Sequence, residues 1–153
     1  MNLHAQELQD DVLYTSAEPL ADHARRVVFE VTERDALDRV SGLSSRIDRL
    51  RAQGFVIALD DLAAGHAGLA CFAQLKPSVI KIDISIVRDL DHDEIKRQIV
   101  ESVVALCGHT KVELVAEGVE TEQERQTLGA LGCHLQQGYA YGRPQKGFAT
   151  SVG

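Results

Sequence analysis

The sequence predicts an α/β chain of mainly parallel strands with outer helices, its strand ends gathered round one barrel mouth. Two observations carry this. First, the unit strand, polar residue, loop, helix occurs four times in 153 residues, and a fifth strand follows. Parallel βα repeats bury both faces of the sheet, so their strands read as near-continuous apolar runs. Second, the strands end in polar residues: Glu30, Asp60, Asp61, Lys81, Glu117 and Gln137. Functional groups in such folds gather at the C-terminal ends of the strands. An open doubly wound sheet also alternates strand and helix, but a contribution from every strand favours a barrel.

The central stretch is Val56-Ile57-Ala58-Leu59-Asp60-Asp61, where the apolar run from Phe55 meets two adjacent carboxylates. It reads as a buried strand carrying charge into a site. On this stretch alone, a helix N-cap Asp beside a surface Asp fits equally well. The recurrence of the pattern favours the site.

In chain order, Met1 to Gln9 starts abruptly, with Asn2 lacking a strand before it. Ala17 to Arg26 reads as helix or loop, with Pro19 near a first turn. Val27 to Glu33 is rich in β-branched and aromatic residues and predicts a strand. Period two places Glu30 and Glu33 on opposite faces, or Glu33 at the strand end. Leu37, Val40, Leu43, Ile47 and Leu50 predict a helix from Arg34 to Gln53, weakened inside by Gly42 and stopped by Gly54. After the Asp60-Asp61 strand and a loop of small residues, Leu69, Phe72 and Leu75 predict a short helix ending before Pro77. Val79 to Asp83 is a strand with Lys81 and Asp83 on one face. A helix starting near Asp91 or Asp93 carries Ile95, Ile99, Val103 and Leu106 and stops at Gly108. Val112 to Ala116 is a strand that runs into Glu117-Gly118-Val119-Glu120. Thr121 and Glu124 form a capping box for a helix ended by Gly132. His134 to Gly138 is a last short strand with Gln137 at its end. Arg143-Pro144 closes the ordered part, and 146–153 is a frayed tail.

Composition narrows the function. A formal charge of −7 disfavours nucleic-acid polymer binding through a basic surface. Three cysteines without metal-ligand spacing, Cys71, Cys107 and Cys133, read as buried thiols and suit a reducing cytoplasm. No apolar run is long enough to insert into a membrane. Trp is absent, which disfavours a glycosidase using paired carboxylates on aromatic sugar platforms.

Carboxylates crowded in one mouth repel each other unless they are protonated or hold cations. Oxygen-rich ligand sets suit Mg²⁺ or Mn²⁺, and adjacent aspartates can serve two neighbouring ions. Lys81 supplies a point charge that can orient a water or steady a phosphate oxygen. The chemistry these residues point to is metal-assisted attack of water on a phosphodiester. Singly, each residue also fits a structural salt bridge or a loop position; the joint pattern is what informs.

The segments Phe29-Glu30-Val31-Thr32-Glu33, Ala58-Leu59-Asp60-Asp61, Lys81-Ile82-Asp83, Val115-Ala116-Glu117-Gly118-Val119-Glu120, Gln137-Gly138-Tyr139 and Arg143-Pro144 resemble the EAL-domain family in order and spacing. Asn2-Leu3 resembles its asparagine-bearing strand end. The resemblance implies an incomplete modified TIM-type (β/α) barrel, with residues 1–145 a partial EAL domain and 146–153 a C-terminal tail. It implies hydrolysis of cyclic di-GMP to the linear dinucleotide with Mg²⁺ or Mn²⁺ in a two-metal site, in the bacterial cytoplasm. It further implies that Asn2, Glu30, Asp60, Asp61 and Glu117 are metal ligands. Asp61, Lys81 and Glu117 would act on the catalytic water, while Glu33 would brace the loop after Asp60-Asp61. Asp83, Glu120 and Gln137 would support the second metal and the ligand.

Two departures shape the expectation. The family's Glu-Ala-Leu segment, with one metal-ligating glutamate, precedes the asparagine that stands here at position 2. The expectation is either that the sequence is a fragment of a longer protein or that a homodimer or a partner segment completes the barrel. The loop Leu62-Ala63-Ala64-Gly65-His66-Ala67-Gly68 stands where the family usually has Phe-Gly-Thr-Gly-Tyr-Ser-Ser. The alternative to an impaired phosphodiesterase is an inactive cyclic di-GMP-binding or protein-interaction module.

Overall fold

A computed structural model describes residues 1–16, 20, 22–32, 37, 40–62 and 68–143. The expectations for Pro19, for Glu33 and the start of its following helix, for loop residues 63–67, and for Pro144 with the tail lie outside the described residues. The chain divides into two compact units, Met1–Ile80 and Lys81–Gly153.

The first unit contains helices α1 (Ala5–Gln9) and α2 (Val12–Ser16), a 3-10 turn (Ala24–Arg26), strand β1 (Val28–Thr32), helix α3 (Leu43–Ala52), strand β2 (Val56–Leu62) and helix α4 (Gly68–Leu75). Strand β3 (Val79–Ile82) begins in it. β1 and β2 pair in parallel from Val28 opposite Val56 to Thr32 opposite Asp60. Ile57, Ala58 and Leu59 are all fully buried, so both faces of β2 are covered, as its unbroken apolar run requires. Ile47 and Leu50 of α3 are also fully buried; each such side chain contributes about 1.5–3 kcal/mol. The rings of Phe29 and Phe55 meet at 4.9 Å with a 53° tilt.

Two readings need correction here. The helix expected to end at Gln53 is α3, described from Leu43 to Ala52. Gly42, at φ +67°, is its N-cap in the left-handed region rather than a weak interior position. Leu37 and Val40 are buried as well. Asn2, expected to lack support, forms a parallel bridge to Glu30. The Leu3 N–H donates to the Glu30 carbonyl at 2.8 Å, and the Glu30 N–H donates to the Met1 carbonyl at 2.9 Å. Met1 to Leu3 thus adds backbone to the β1 edge.

The second unit contains helix α5 (Ile84–Val87), helix α6 (Glu94–Thr110), strand β4 (Glu113–Ala116), helix α7 (Glu122–Ala130) and strand β5 (Leu135–Gln136). β4 and β5 pair in parallel. Asp93 caps α6 by accepting from the Ile95 and Lys96 amides. Gly108 does not stop this helix; it runs on to Thr110, and Lys111 at φ +58° ends it. One glycine costs about 1 kcal/mol in a helix interior, less than burial of Val100 and Cys107 on the same helix returns. The Thr121–Glu124 capping box starts α7 as expected. All three cysteines are buried. No helix among the described residues is long and apolar enough to cross a membrane.

Candidate metal centre

In the first unit, β1 and β2 bring acidic groups to the C-terminal side of the sheet. The parallel register sets Glu30 beside Ala58 and Thr32 beside Asp60. Glu30 therefore lies two residues, about 7 Å, behind the level of Asp60 along the strands. Asn2 sits across the bridge from Glu30. Asp60 and Asp61 are both half-buried.

Period two would send these two aspartates to opposite faces. Asp61 has φ +56°, and a left-handed residue breaks that alternation, as in a bulge. Its amide donates to Asp60 Oδ1 at 3.0 Å. Asp is among the few side chains that tolerate this conformation. A sparsely populated backbone state at a paired carboxylate is the kind of local strain that collects at working sites.

In the second unit, Lys81 of β3 and Glu117 just beyond β4 form an ion pair of 2.7 Å, with side chains 11% and 19% exposed. Gln137, just beyond β5, donates from Nε2 to the same Glu117 oxygen at 2.9 Å. The backbone fixes this arrangement. The Glu117 amide donates to the Ile82 carbonyl, the Gln137 amide to that of Ala116, and the Val119 amide to that of Gln137. Gly118 at φ +68° and Gly138 at φ +156° make the close turns that this requires. A Cβ on Gly138 would overlap the Val119 backbone.

Asp83 is not a strand residue. It caps α5, accepting from the Ser85 amide at 2.8 Å. Asp83 and Lys81, expected on one face of a strand, are 9% and 8% exposed. Glu120 pairs with Arg88 at 2.6 Å.

Behind this loop, Glu124 is 1% exposed. Its Oε2 accepts from the Glu120 and Thr121 amides at 2.8 and 3.0 Å, and its Oε1 accepts from the Asp89 amide at 3.0 Å. Burial pushes its carboxyl up. The three amides and the Arg88 charge outweigh that, so the net shift is below the ordinary value of 4.5. Sequence reasoning read Glu124 only as a helix cap and missed Arg88 and Asp89. The T-x-x-E signal marked the cap, but no local spacing marks contacts that span 32 and 35 residues.

The donors are carboxylate and amide oxygens, the hard set that suits Mg²⁺ or Mn²⁺. Glu33, expected to brace the aspartate loop, lies outside the described residues.

Comparison with known proteins identifies the family and the fold. The EAL domain family model matches residues 1–144. The chain is 36% identical over 118 residues to the bifunctional diguanylate cyclase/cyclic di-GMP phosphodiesterase MucR of Pseudomonas aeruginosa, covering 77% of this chain and 17% of that protein. It is 34% identical over 129 residues to the probable cyclic di-GMP phosphodiesterase PdeD of Escherichia coli, covering 84% of this chain and 23% of that one. The chain thus spans about a fifth of these relatives' length. Among solved structures, the EAL domain of Mycobacterium smegmatis DcpA matches with TM-score 0.86 and 30% identity, covering 94% of this chain and 66% of that one. A manganese/cyclic di-GMP complex of Klebsiella pneumoniae BlrP1 matches with TM-score 0.86 and 33% identity, covering 94% of this chain and 38% of that one. The α/β fold is that of these structures, and from the N-terminal asparagine bridge to the last strand the chain belongs to the EAL domain family.

Proposed function

We propose that this chain is the metal-binding portion of a phosphodiesterase that opens cyclic di-GMP to the linear dinucleotide. The observation that carries the reading is the Lys81–Glu117–Gln137 triad at the ends of β3, β4 and β5. The aspartate pair at the end of β2 supplies the complementary acidic set. Similarity to cyclic di-GMP phosphodiesterases and to a manganese/cyclic di-GMP complex supports the substrate and cofactor.

In this reading Asn2, Glu30, Asp60, Asp61 and Glu117 hold Mg²⁺ or Mn²⁺. When bound, the ions supply Lewis acidity and an acidified water. The Asp61 carboxylate would accept a hydrogen bond from the attacking water, and Lys81 Nζ would orient that water by donating to its oxygen. Glu117 holds Lys81 in place, and Gln137 fixes Glu117. Asp83 and Glu120 hold the surrounding turns, and Glu33 braces the loop after the aspartates. The proposal includes a cytoplasmic setting and either a homodimer or a partner segment that completes the barrel.

The test is incubation with cyclic di-GMP and Mn²⁺, followed by chromatography for the linear product. Product that disappears in Asp60→Ala supports the enzyme. Binding without turnover supports the alternative, an inactive cyclic di-GMP-binding module, which the changed loop after Asp61 favours. Neither binding nor turnover overturns both.

A further inference from the structure

We infer that Glu124 is a positioning residue for the Glu117–Glu120 segment and, through it, for metal binding; this rests on the proposed metal reading. Glu124 is an acidic side chain buried to 1% exposure, outside the set of residues proposed above to touch metal or substrate. A buried carboxylate is costly unless its oxygens are satisfied. Here both are, by backbone amides from two different turns.

One oxygen takes Glu120 and Thr121, at the end of the segment that begins with Glu117. The other takes Asp89, in the turn that follows α5. Asp89 itself sits at φ +57°, so its amide is presented by a fixed left-handed turn. Arg88 and Glu120 join the same two turns a second time at 2.6 Å. Glu120 is thereby held through both its amide and its side chain. Glu117, three residues earlier, has its own amide on Ile82 and its carboxylate on Lys81. With both ends anchored, the segment has little freedom to swing the Glu117 carboxylate away from its place. Partners that orient ligating groups in this way typically govern metal affinity by about 10–100-fold.

The test is Mn²⁺ affinity of the full chain, read from the electron paramagnetic resonance of free Mn²⁺ at a temperature where circular dichroism shows each variant folded. Glu124→Ala is expected to weaken binding by about 10-fold or more. Glu124→Gln keeps an oxygen for Glu120 and Thr121 and falls between it and the wild type; it decides the question if the alanine variant does not fold. Asp93→Ala removes the α6 cap, so it lowers the melting temperature but leaves Mn²⁺ affinity unchanged. Equal affinity in wild type and both Glu124 variants overturns this inference alone. A loss in Asp93→Ala as large as in Glu124→Ala also overturns it, because the effect is then one of stability. No Mn²⁺ binding by the wild type overturns the metal reading and this inference with it.

Discussion

Lys81 Nζ lies 2.7 Å from Glu117 Oε1, and neither side chain is more than a fifth exposed. Removing one partner of such a pair leaves the other desolvated without its counter-charge. Lys81→Met and Glu117→Gln are each expected to cost about 1–3 kcal/mol, less than a fully dry pair because some exposure remains. The double variant should cost less than the sum, with a coupling of about 1 kcal/mol. Urea denaturation of all four proteins measures this. Additive losses would mean that the two groups do not depend on each other.

Glu124 predicts a pH dependence. Its folded carboxyl titrates below the ordinary 4.5, so the folded state binds its proton more weakly than the unfolded chain does. The stabilisation is fully present above pH 4.5 and is lost as pH falls through the folded value. Glu124→Gln should cost about 1–3 kcal/mol at pH 7, and its deficit should shrink in acid. Denaturation midpoints of both proteins from pH 7 to pH 3 test this. A constant gap refutes it.

Asp61 predicts an asymmetry between two substitutions. Its φ of +56° is tolerated by Asn but disfavoured for Ala. Asp61→Ala should be about 1 kcal/mol less stable than Asp61→Asn, and both should lose Mn²⁺ affinity. Equal stability of the two would argue that the backbone relaxes out of the left-handed region.

The thiols should be sluggish. Burial pushes Cys133 up to about 11 and raises Cys107 as well. The thiolate is the reactive form, so iodoacetamide at pH 8 should leave both unmodified in the native protein and label them in guanidinium chloride. Mass spectrometry of the peptides reads this. Labelling at the unfolded rate would show that the second unit opens easily around α6 and β5.

Gly138 predicts steric intolerance. A Cβ there would overlap the Val119 backbone, whereas one on Gly142 meets nothing within 4 Å. Gly138→Ala should cost about 2–4 kcal/mol and Gly142→Ala about 1 kcal/mol, the latter from backbone strain alone. Thermal melts of the two variants compare them.

Local chemistry was legible in the residues themselves. The unbroken apolar run into Asp60 and Asp61 gave away a strand covered on both faces, because parallel strands have no solvent side. Thr121 and Glu124 declared a helix start, because a cap and its box lie within one turn of chain. Gly54 and Gly132 marked helix ends for the same reason. Where the deciding partner lay elsewhere, the residues misled. Gly108 looked like a stop but sits inside α6, held by burial of neighbours on the same helix. Gly42 looked like a flaw in a helix but begins one. Asn2 looked unsupported until Glu30, 28 residues on, offered it a bridge. The triad on Glu117 and the Asp89 contact of Glu124 arise between segments tens of residues apart. Periodicity and capping act over a few residues, so they write themselves into the chain. Hydrogen bonds between distant turns depend on packing, and only the folded molecule sets them.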